Sequence, residues 1–136
     1  YLDKVKAEAS RKGYTETLFG RRRYFTGFNS PLPYVRAQAE RMAINAPLQG
    51  TQADIIKIAM KKIDDYIKES GMLDDVRLLL QVNDELVYEV KNNFVEEAAL
   101  KFREIMENIL PRKDTNGVPI VAEVSVGENW GEMKKI

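Results

Sequence analysis

The sequence predicts an α+β fold, and three observations support that class. Apolar residues recur at helical spacing over residues 52–70 and again over 94–109. Two short apolar runs, at 78–82 and 86–90, have the length and composition of strands. Helical and extended segments are mixed along the 136 residues without strict βαβ alternation, which favours α+β over α/β.

Composition is that of an ordinary globular protein, with 44% apolar and 31% charged residues, and residues 1–136 are expected to form a single piece. The chain has neither cysteine nor histidine, which excludes thiolate nucleophiles, Cys- or His-ligated metals and histidine acid–base catalysis. Any chemistry must come from carboxylates, amides, hydroxyls, Lys and Arg. The chain begins with Tyr1 rather than Met, as expected for a piece of a longer protein, for a trimmed chain or for one whose disordered start is left out.

Charge is distributed unevenly, although the net charge is zero. Residues 1–50 contain nine basic and four acidic side chains, whereas residues 51–136 contain twelve basic and seventeen acidic ones. The basic excess is typical of a surface that faces a polyanion, and ordinary solvated charge is the alternative.

The first segments alternate between helix and extended chain. A short helix from Leu2 is expected to end at Gly13, a common C-terminal stop. Residues 14–18 and 22–25 are β-prone and predict a hairpin or an extended loop. Residues 29–33 contain two prolines and predict a loop.

The middle of the chain predicts two helices. The first covers residues 34–46, and Pro47 is expected to end or kink it. Thr51 and Asp54 have the spacing of an N-terminal capping pair, which predicts that a second helix begins there and runs to about residue 70.

The last third predicts a hairpin, a helix and a strand. The two apolar runs flank an acidic turn at 83–85, which favours an antiparallel hairpin. A helix follows over 94–109 and is closed by Pro111. Residues 118–126 are expected to form a final strand.

The acidic turn is the most unusual motif. Tight hairpin turns favour Asn-Gly or Asp-Gly, whereas this one reads Asn83-Asp84-Glu85. Adjacent carboxylates repel each other unless a cation or a proton relieves them, and carboxylate oxygens suit Mg²⁺. The alternative is a solvated hairpin tip, and spacing alone favours that alternative.

A second motif joins a guanidinium to two amides. Arg41 and Asn45 lie one helical turn apart, and Gln49 follows just past Pro47, so the three side chains share one surface. Amides can donate to the acceptors that every base pair presents in the minor groove, and Arg provides a planar fork for phosphate. The alternative is an ordinary polar helix face.

Two further features concern Arg and Trp. Three consecutive arginines, Arg21, Arg22 and Arg23, could clamp phosphates from a loop, or could simply be exposed.

Trp130 is expected to pack the C-terminal segment onto the domain.

In order along the chain, five blocks together resemble the C-terminal part of the polymerase domain of family A DNA polymerases. The resemblance covers nearly the whole chain. The blocks are residues 13–23, 39–51, 53–57, 79–87 and 126–130.

The resemblance implies a fold and a metal site. Residues 51–136 would form part of the palm of a right-hand polymerase, an antiparallel sheet packed against long helices, with the motif C hairpin near 78–90. Asp84 matches the motif C aspartate, which binds two catalytic Mg²⁺ ions, and Glu85 matches the adjacent supporting acid. The ions would be shared with an aspartate in an upstream segment.

The resemblance also implies DNA contacts in residues 1–50. Asn45 and Gln49 match amides that contact the minor groove of the nascent base pair and its neighbour. Arg41 matches a residue near the primer terminus, and the loop of Arg21 to Arg23 lies in a template-contacting region.

One position departs from the family pattern. Family members usually have His before the motif C aspartate, where it contacts the primer end, and this chain has Asn83. Asn donates a hydrogen bond but cannot carry a positive charge, so primer positioning is expected to be altered.

The implied function is template-directed DNA synthesis, with primer-template DNA, dNTP and the upstream polymerase segment as partners, in the bacterial cytoplasm at the nucleoid. These 136 residues contain no match to the upstream aspartate or to the nucleotide-gripping helix of the family. The isolated chain is therefore expected to be inactive. A non-catalytic DNA-binding module and an assembly fragment of a split polymerase are the alternatives.

Overall fold

Three α-helices, one short 3₁₀ helix (Asn92–Phe94) and three separate two-stranded antiparallel sheets make up the computed structural model, which describes all 136 residues. The helices are α1 (Leu2–Lys12), α2 (Pro33–Glu69) and α3 (Val95–Glu107). The α+β class is confirmed. The chain contains two compact units, Tyr1–Asp54 and Ile55–Ile136. No helix combines the length and the apolar character needed to cross a membrane.

The start of the first unit follows the prediction. Helix α1 ends at Gly13, whose φ of 78° is left-handed and therefore suits glycine. The chain then forms a hairpin from β1 (Tyr14–Glu16) and β2 (Arg22–Tyr24). The two strands are short, and the rings of Tyr14 and Tyr24 meet across them at 5.4 Å between centroids.

The buried apolar residues of the first unit are all alanines. Each contributes little hydrophobic stabilisation, because burial free energy scales with apolar area. Polar contacts therefore carry more of this unit's organisation than they would in a core of large side chains. The alanines are Ala9, Ala39, Ala43 and Ala46.

Helix α2 corrects two predictions. It runs through Pro47 as one element instead of ending there, and Thr51 and Asp54 lie inside it rather than capping a second helix. A proline inside a helix removes one backbone hydrogen bond and costs about 3 kcal/mol. The continuation of α2 therefore depends on tertiary contacts near Pro47, which local sequence rules do not consider.

The predicted hairpin of the second unit is confirmed. Strands β3 (Val76–Val82) and β4 (Glu85–Val90) pair antiparallel, with Val82 opposite Glu85 at the tip and an irregularity between Leu78 and Leu80. Most of β3 is exposed, including its apolar side chains.

The core of the second unit lies between α2, the hairpin and α3. Ile63 is fully buried at its centre, and the Phe102 ring packs against Tyr88 at 4.8 Å and against Tyr66 at 6.3 Å between centroids. This confirms that the apolar stripe of the long helix is core. The buried cluster comprises Ile63, Ile67, Met72, Val76, Ala98 and Phe102.

The C-terminal region differs from its prediction. Helix α3 ends at Glu107, before Pro111, because Asn108 already leaves helical geometry. Only β5 (Ser125–Gly127) is a strand where residues 118–126 were expected to be one, and it pairs with β6 (Met133–Lys135), which the sequence did not predict. Residues 118–124 have strand-like composition but no partner strand, so composition alone misjudged their length.

The phenol of Tyr88 provides a test of this core. Burial and, to a lesser extent, the charge of Asp64 raise its pKa from 10.0 to about 12. Between those pH values the unfolded phenol has lost its proton and the folded one has kept it, so the free energy of unfolding should fall as pH rises through that window. In a tyrosinate absorbance titration, Tyr88→Phe should remove the last-titrating phenol. Tyr34→Phe, at an exposed position, should leave that late step in place.

Candidate nucleic-acid interface and metal site

The uninterrupted α2 places Arg41, Asn45 and Gln49 at successive i, i+4 positions on one face, which we call the polar face. All three side chains are exposed. Together with Arg23 they line a surface cavity of about 280 Å³. The structure therefore brings together four of the residues that the sequence nominated for DNA contact.

The hydrogen-bond donors of the polar face are not used within the chain. Arg41, Asn45 and Gln49 take part in none of the side-chain hydrogen bonds or ion pairs within the chain. Gln38 and Met42 complete the cavity lining and were not predicted from the sequence. Their helical spacing from Arg41 and Asn45 was the available signal. The cavity presents guanidinium and amide groups that an acceptor-rich ligand could bind.

The three consecutive arginines have different surroundings. Arg21 donates from Nε to Asp54 Oδ1 at 2.8 Å and from a terminal nitrogen to the Gly50 carbonyl at 3.3 Å. Arg22 pairs with Glu16 at 2.9 Å. Arg23 lies over the ring of Phe25 and reaches the polar-face cavity. The three arginines therefore have different partners within the chain.

The tip of the β3–β4 hairpin is a two-residue loop of Asn83 and Asp84, because Val82 pairs with Glu85. Asn83 has a φ of 52°, a left-handed conformation that Asn tolerates better than most non-glycine residues. Asn83 therefore suits the backbone conformation at the first position of the turn. The geometry places Asp84 at the apex and Glu85 at the start of β4.

Glu85 has a specific partner in the C-terminal segment. The indole N–H of Trp130 donates to Glu85 Oε1 at 2.8 Å across 45 residues of sequence. Trp130 is 53% exposed, so it ties the C-terminal segment to the hairpin through this polar contact more than through burial. Trp130 was expected to pack the C-terminal segment onto the domain; it is instead half-exposed and contacts the hairpin through a hydrogen bond to an acid that the sequence did not predict.

The donor chemistry fits part of a magnesium site. Mg²⁺ is usually held by one or two carboxylates together with waters and substrate phosphates. Asp84 and Glu85 supply two exposed, adjacent carboxylates of that kind. The chain contains no group of three or more acidic side chains that could enclose a metal ion. Their oxygen chemistry suits part of such a site, and further ligands would have to come from elsewhere.

Comparison with known proteins assigns the chain to a family. A family model described as DNA polymerase family A matches residues 1–132, so the chain belongs to that family. The resemblance drawn from the five sequence blocks is confirmed.

Individual relatives point the same way. The chain is 46% identical over 132 residues to DNA polymerase I of Pseudomonas aeruginosa, covering 97% of this chain and 14% of that protein. It is 43% identical over 135 residues to the thermostable DNA polymerase I of Thermus aquaticus, covering 99% of this chain and 15% of that protein. The chain thus spans about a seventh of the curated relatives it matches.

A solved structure is similar as well. The POL domain of Pol1 from M. smegmatis, in complex with DNA primer-template and dNTP, matches with a TM-score of 0.77 and 47% sequence identity. The match covers 82% of this chain and 19% of that one. The fold of the chain is therefore that of a portion of a polymerase domain.

The bond between Trp130 and Glu85 can be measured directly. Trp130→Phe keeps an aromatic ring and removes the donor, whereas Glu85→Ala removes the acceptor. A double-mutant cycle on the free energy of unfolding should give a coupling of about 0.5–1.5 kcal/mol. Urea denaturation of the wild type, the two single variants and the double variant supplies the values. Additive single effects would show that the hydrogen bond does not form in solution.

Proposed function

We propose that this chain takes part in template-directed DNA synthesis, the transfer of a nucleotidyl group from dNTP to the primer 3′-hydroxyl by a two-metal mechanism. Family membership over residues 1–132 carries the proposal, and the solved relative bound to primer-template DNA and dNTP supports the choice of partners. The chain would act on DNA in the bacterial cytoplasm, at the nucleoid.

The hairpin tip would supply motif C of the palm. Asp84, at the apex of a two-residue loop, and Glu85, at the start of β4, would hold Mg²⁺ together with an upstream aspartate. When bound, the ions would ease deprotonation of the primer 3′-hydroxyl and neutralise charge on the pyrophosphate leaving group. The hydrogen bond from Trp130 would fix one Glu85 oxygen and restrict the rotation of that carboxylate.

The polar face would contact the primer-template. Asn45 and Gln49 would donate to minor-groove acceptors at the nascent base pair and its neighbour, and Arg41 would lie near the primer terminus. These acceptors occur at the same places in A·T and T·A pairs and largely in G·C pairs, so contact there is almost independent of sequence. Such contact suits an enzyme that must accept every correct pair. Arg22 and Arg23 would add phosphate contacts to the template.

The chain by itself would be inactive. Its two adjacent carboxylates are one part of a metal site, and the 136 residues contain no third acid that completes it. An upstream segment carrying the second aspartate and the nucleotide-binding helix would be needed, either in the same chain or as a separate one.

Primer extension tests the function. The chain alone, the chain with a separately produced upstream segment of the P. aeruginosa relative (the reconstituted polymerase), and the same mixture with Asp84→Ala are compared with Mg²⁺ and all four dNTPs. We expect synthesis only in the wild-type mixture. Asp74→Ala, which removes an exposed acid elsewhere in the same unit, should retain full activity. Extension by the chain alone, or by the Asp84→Ala mixture, would contradict the proposed half-site.

A non-catalytic role, as a DNA-binding module or as an assembly fragment of a split polymerase, is the second candidate function. The exposed apolar side chains of β3 favour a role in which this chain docks another segment, as an assembly fragment would. If the wild-type mixture binds primer-template DNA but never extends it, the non-catalytic DNA-binding or assembly role is favoured instead.

Variants of Asn83 can separate the effect of its amide on DNA binding from the effect of its backbone conformation on stability. Asn83→Gly keeps the left-handed conformation and removes the amide, whereas Asn83→Ala strains the turn. If the amide contacts the primer end, Asn83→Gly should raise the Kd of the reconstituted polymerase for primer-template DNA several-fold. The melting temperature of the chain should stay the same. Asn83→Ala should in addition lower the melting temperature. An unchanged Kd in Asn83→Gly would assign Asn83 to the turn alone.

A further inference from the structure

The loop between β1 and β2 is fastened to α2 at one short stretch just after Pro47. The Leu18 amide donates to Thr51 Oγ1 at 3.0 Å. Arg21 donates to the Gly50 carbonyl at 3.3 Å and to Asp54 Oδ1 at 2.8 Å. We call Arg21, Gly50, Thr51 and Asp54 the clasp.

The loop side of the clasp is itself ordered. Thr17 Oγ1 accepts hydrogen bonds from the amides of Phe19 at 3.2 Å and of Arg21 at 3.3 Å. The Thr17 amide also donates to the Arg21 carbonyl at 3.0 Å. Arg21 therefore extends from a loop whose backbone is already held by hydrogen bonds. Because the loop is ordered, the bonds of the Arg21 guanidinium hold α2 in a fixed position relative to it.

Gly50 permits the close approach of the loop. A Cβ at this position would lie 2.7 Å from the methyl carbon of Thr17 and 3.4 Å from the Arg21 guanidinium. A glycine in the middle of a helix costs about 1 kcal/mol relative to alanine. Its presence in α2 is explained by the space that the clasp requires.

The clasp lies where α2 is weakest. Pro47 cannot donate to the carbonyl of the residue one turn earlier, and Gly50 and Thr51 are poor helix formers. Gln49 lies between Pro47 and Gly50. A change in helix direction here would therefore move Gln49 relative to Asn45 and Arg41 on the polar face.

Arg21 is poorly suited to bind phosphate at the same time. Its carboxylate partner has a side chain only 10% exposed, and withdrawing the guanidinium would remove the positive charge beside that acid. Arg22 and Arg23, which follow Arg21 and lie on β2, have no partner that is as buried as Asp54.

We propose that Arg21, through the clasp with Gly50, Thr51 and Asp54, is a positioning residue that fixes Gln49 for minor-groove contact, and is not itself a phosphate ligand. The proposal rests on the proposed function. It replaces the template contact that the sequence suggested for Arg21 and gives Asp54 a part in primer-template binding without any contact to DNA.

The test uses the reconstituted polymerase and the salt dependence of primer-template affinity. Arg21→Gln and Asp54→Asn should each weaken primer-template binding about tenfold. The double variant should bind no more weakly than either single variant. The slope of log K against log[salt] should stay unchanged in all three. Thr51→Val should act in the same direction. Arg23→Gln should lower the slope by about 0.9, as loss of a phosphate contact requires, and Arg112→Gln, at an exposed position in the second unit, should change neither quantity.

Arg21→Lys separates positioning from misfolding, since it keeps the charge beside Asp54 and should recover part of the affinity with an unchanged circular dichroism spectrum. A slope lowered by about 0.9 in Arg21→Gln, or normal affinity in Asp54→Asn, would overturn the proposal. Failure of the wild-type mixture to bind or extend DNA would instead be a failure of the proposed function.

Discussion

Pro47 has no N–H to donate to the carbonyl of Ala43, yet α2 continues to Glu69 as one helix. The first unit compensates from outside the helix, because the loop between β1 and β2 supplies hydrogen bonds and an ion pair to the residues that follow the proline. The polar face depends on this continuity, since Arg41 and Gln49 lie on opposite sides of Pro47 in sequence. A helix that ended at Pro47 would leave Gln49 on a separate element.

The two candidate sites are built in different ways. The polar face uses the regular repeat of a helix, so the spacing of its residues determines which side chains lie together. The hairpin tip uses a single backbone conformation: Asn83 accepts a left-handed φ, and that conformation places Asp84 at the apex. The proposed roles use both properties: the helix face would contact a duplex, and the turn would present carboxylates to metal ions.

Local patterns predicted the elements whose causes are local. The stop at Gly13, the β3–β4 hairpin and the apolar stripe through Ile63 all depend on residues near one another in sequence, and all three are confirmed. The predictions at Pro47 and at residues 118–126 failed because distant partners decide the outcome. A loop about 30 residues away sustains the helix in the first case, and the absence of a partner strand shortens the strand in the second.

The candidate sites show the same contrast between features with local causes and features that depend on distant partners. Residue type and spacing marked the carboxylates and the amides as candidates, and only the family resemblance gave them roles. The partners of Arg21 and Glu85 are 33 and 45 residues away and left no signal in the sequence. The metal and DNA roles of these residues stay predictions, because they depend on groups outside this chain.

Trp130 gives the hairpin tip an intrinsic optical reporter. It is the only tryptophan in the chain, and its indole N–H lies 2.8 Å from a carboxylate oxygen of Glu85. Indole emission responds to nearby charge and to hydration, and this ring is about half exposed. Emission selective for tryptophan would therefore come from one place, next to one of the two acids proposed to hold metal. Events at those acids can be followed in real time without an attached dye.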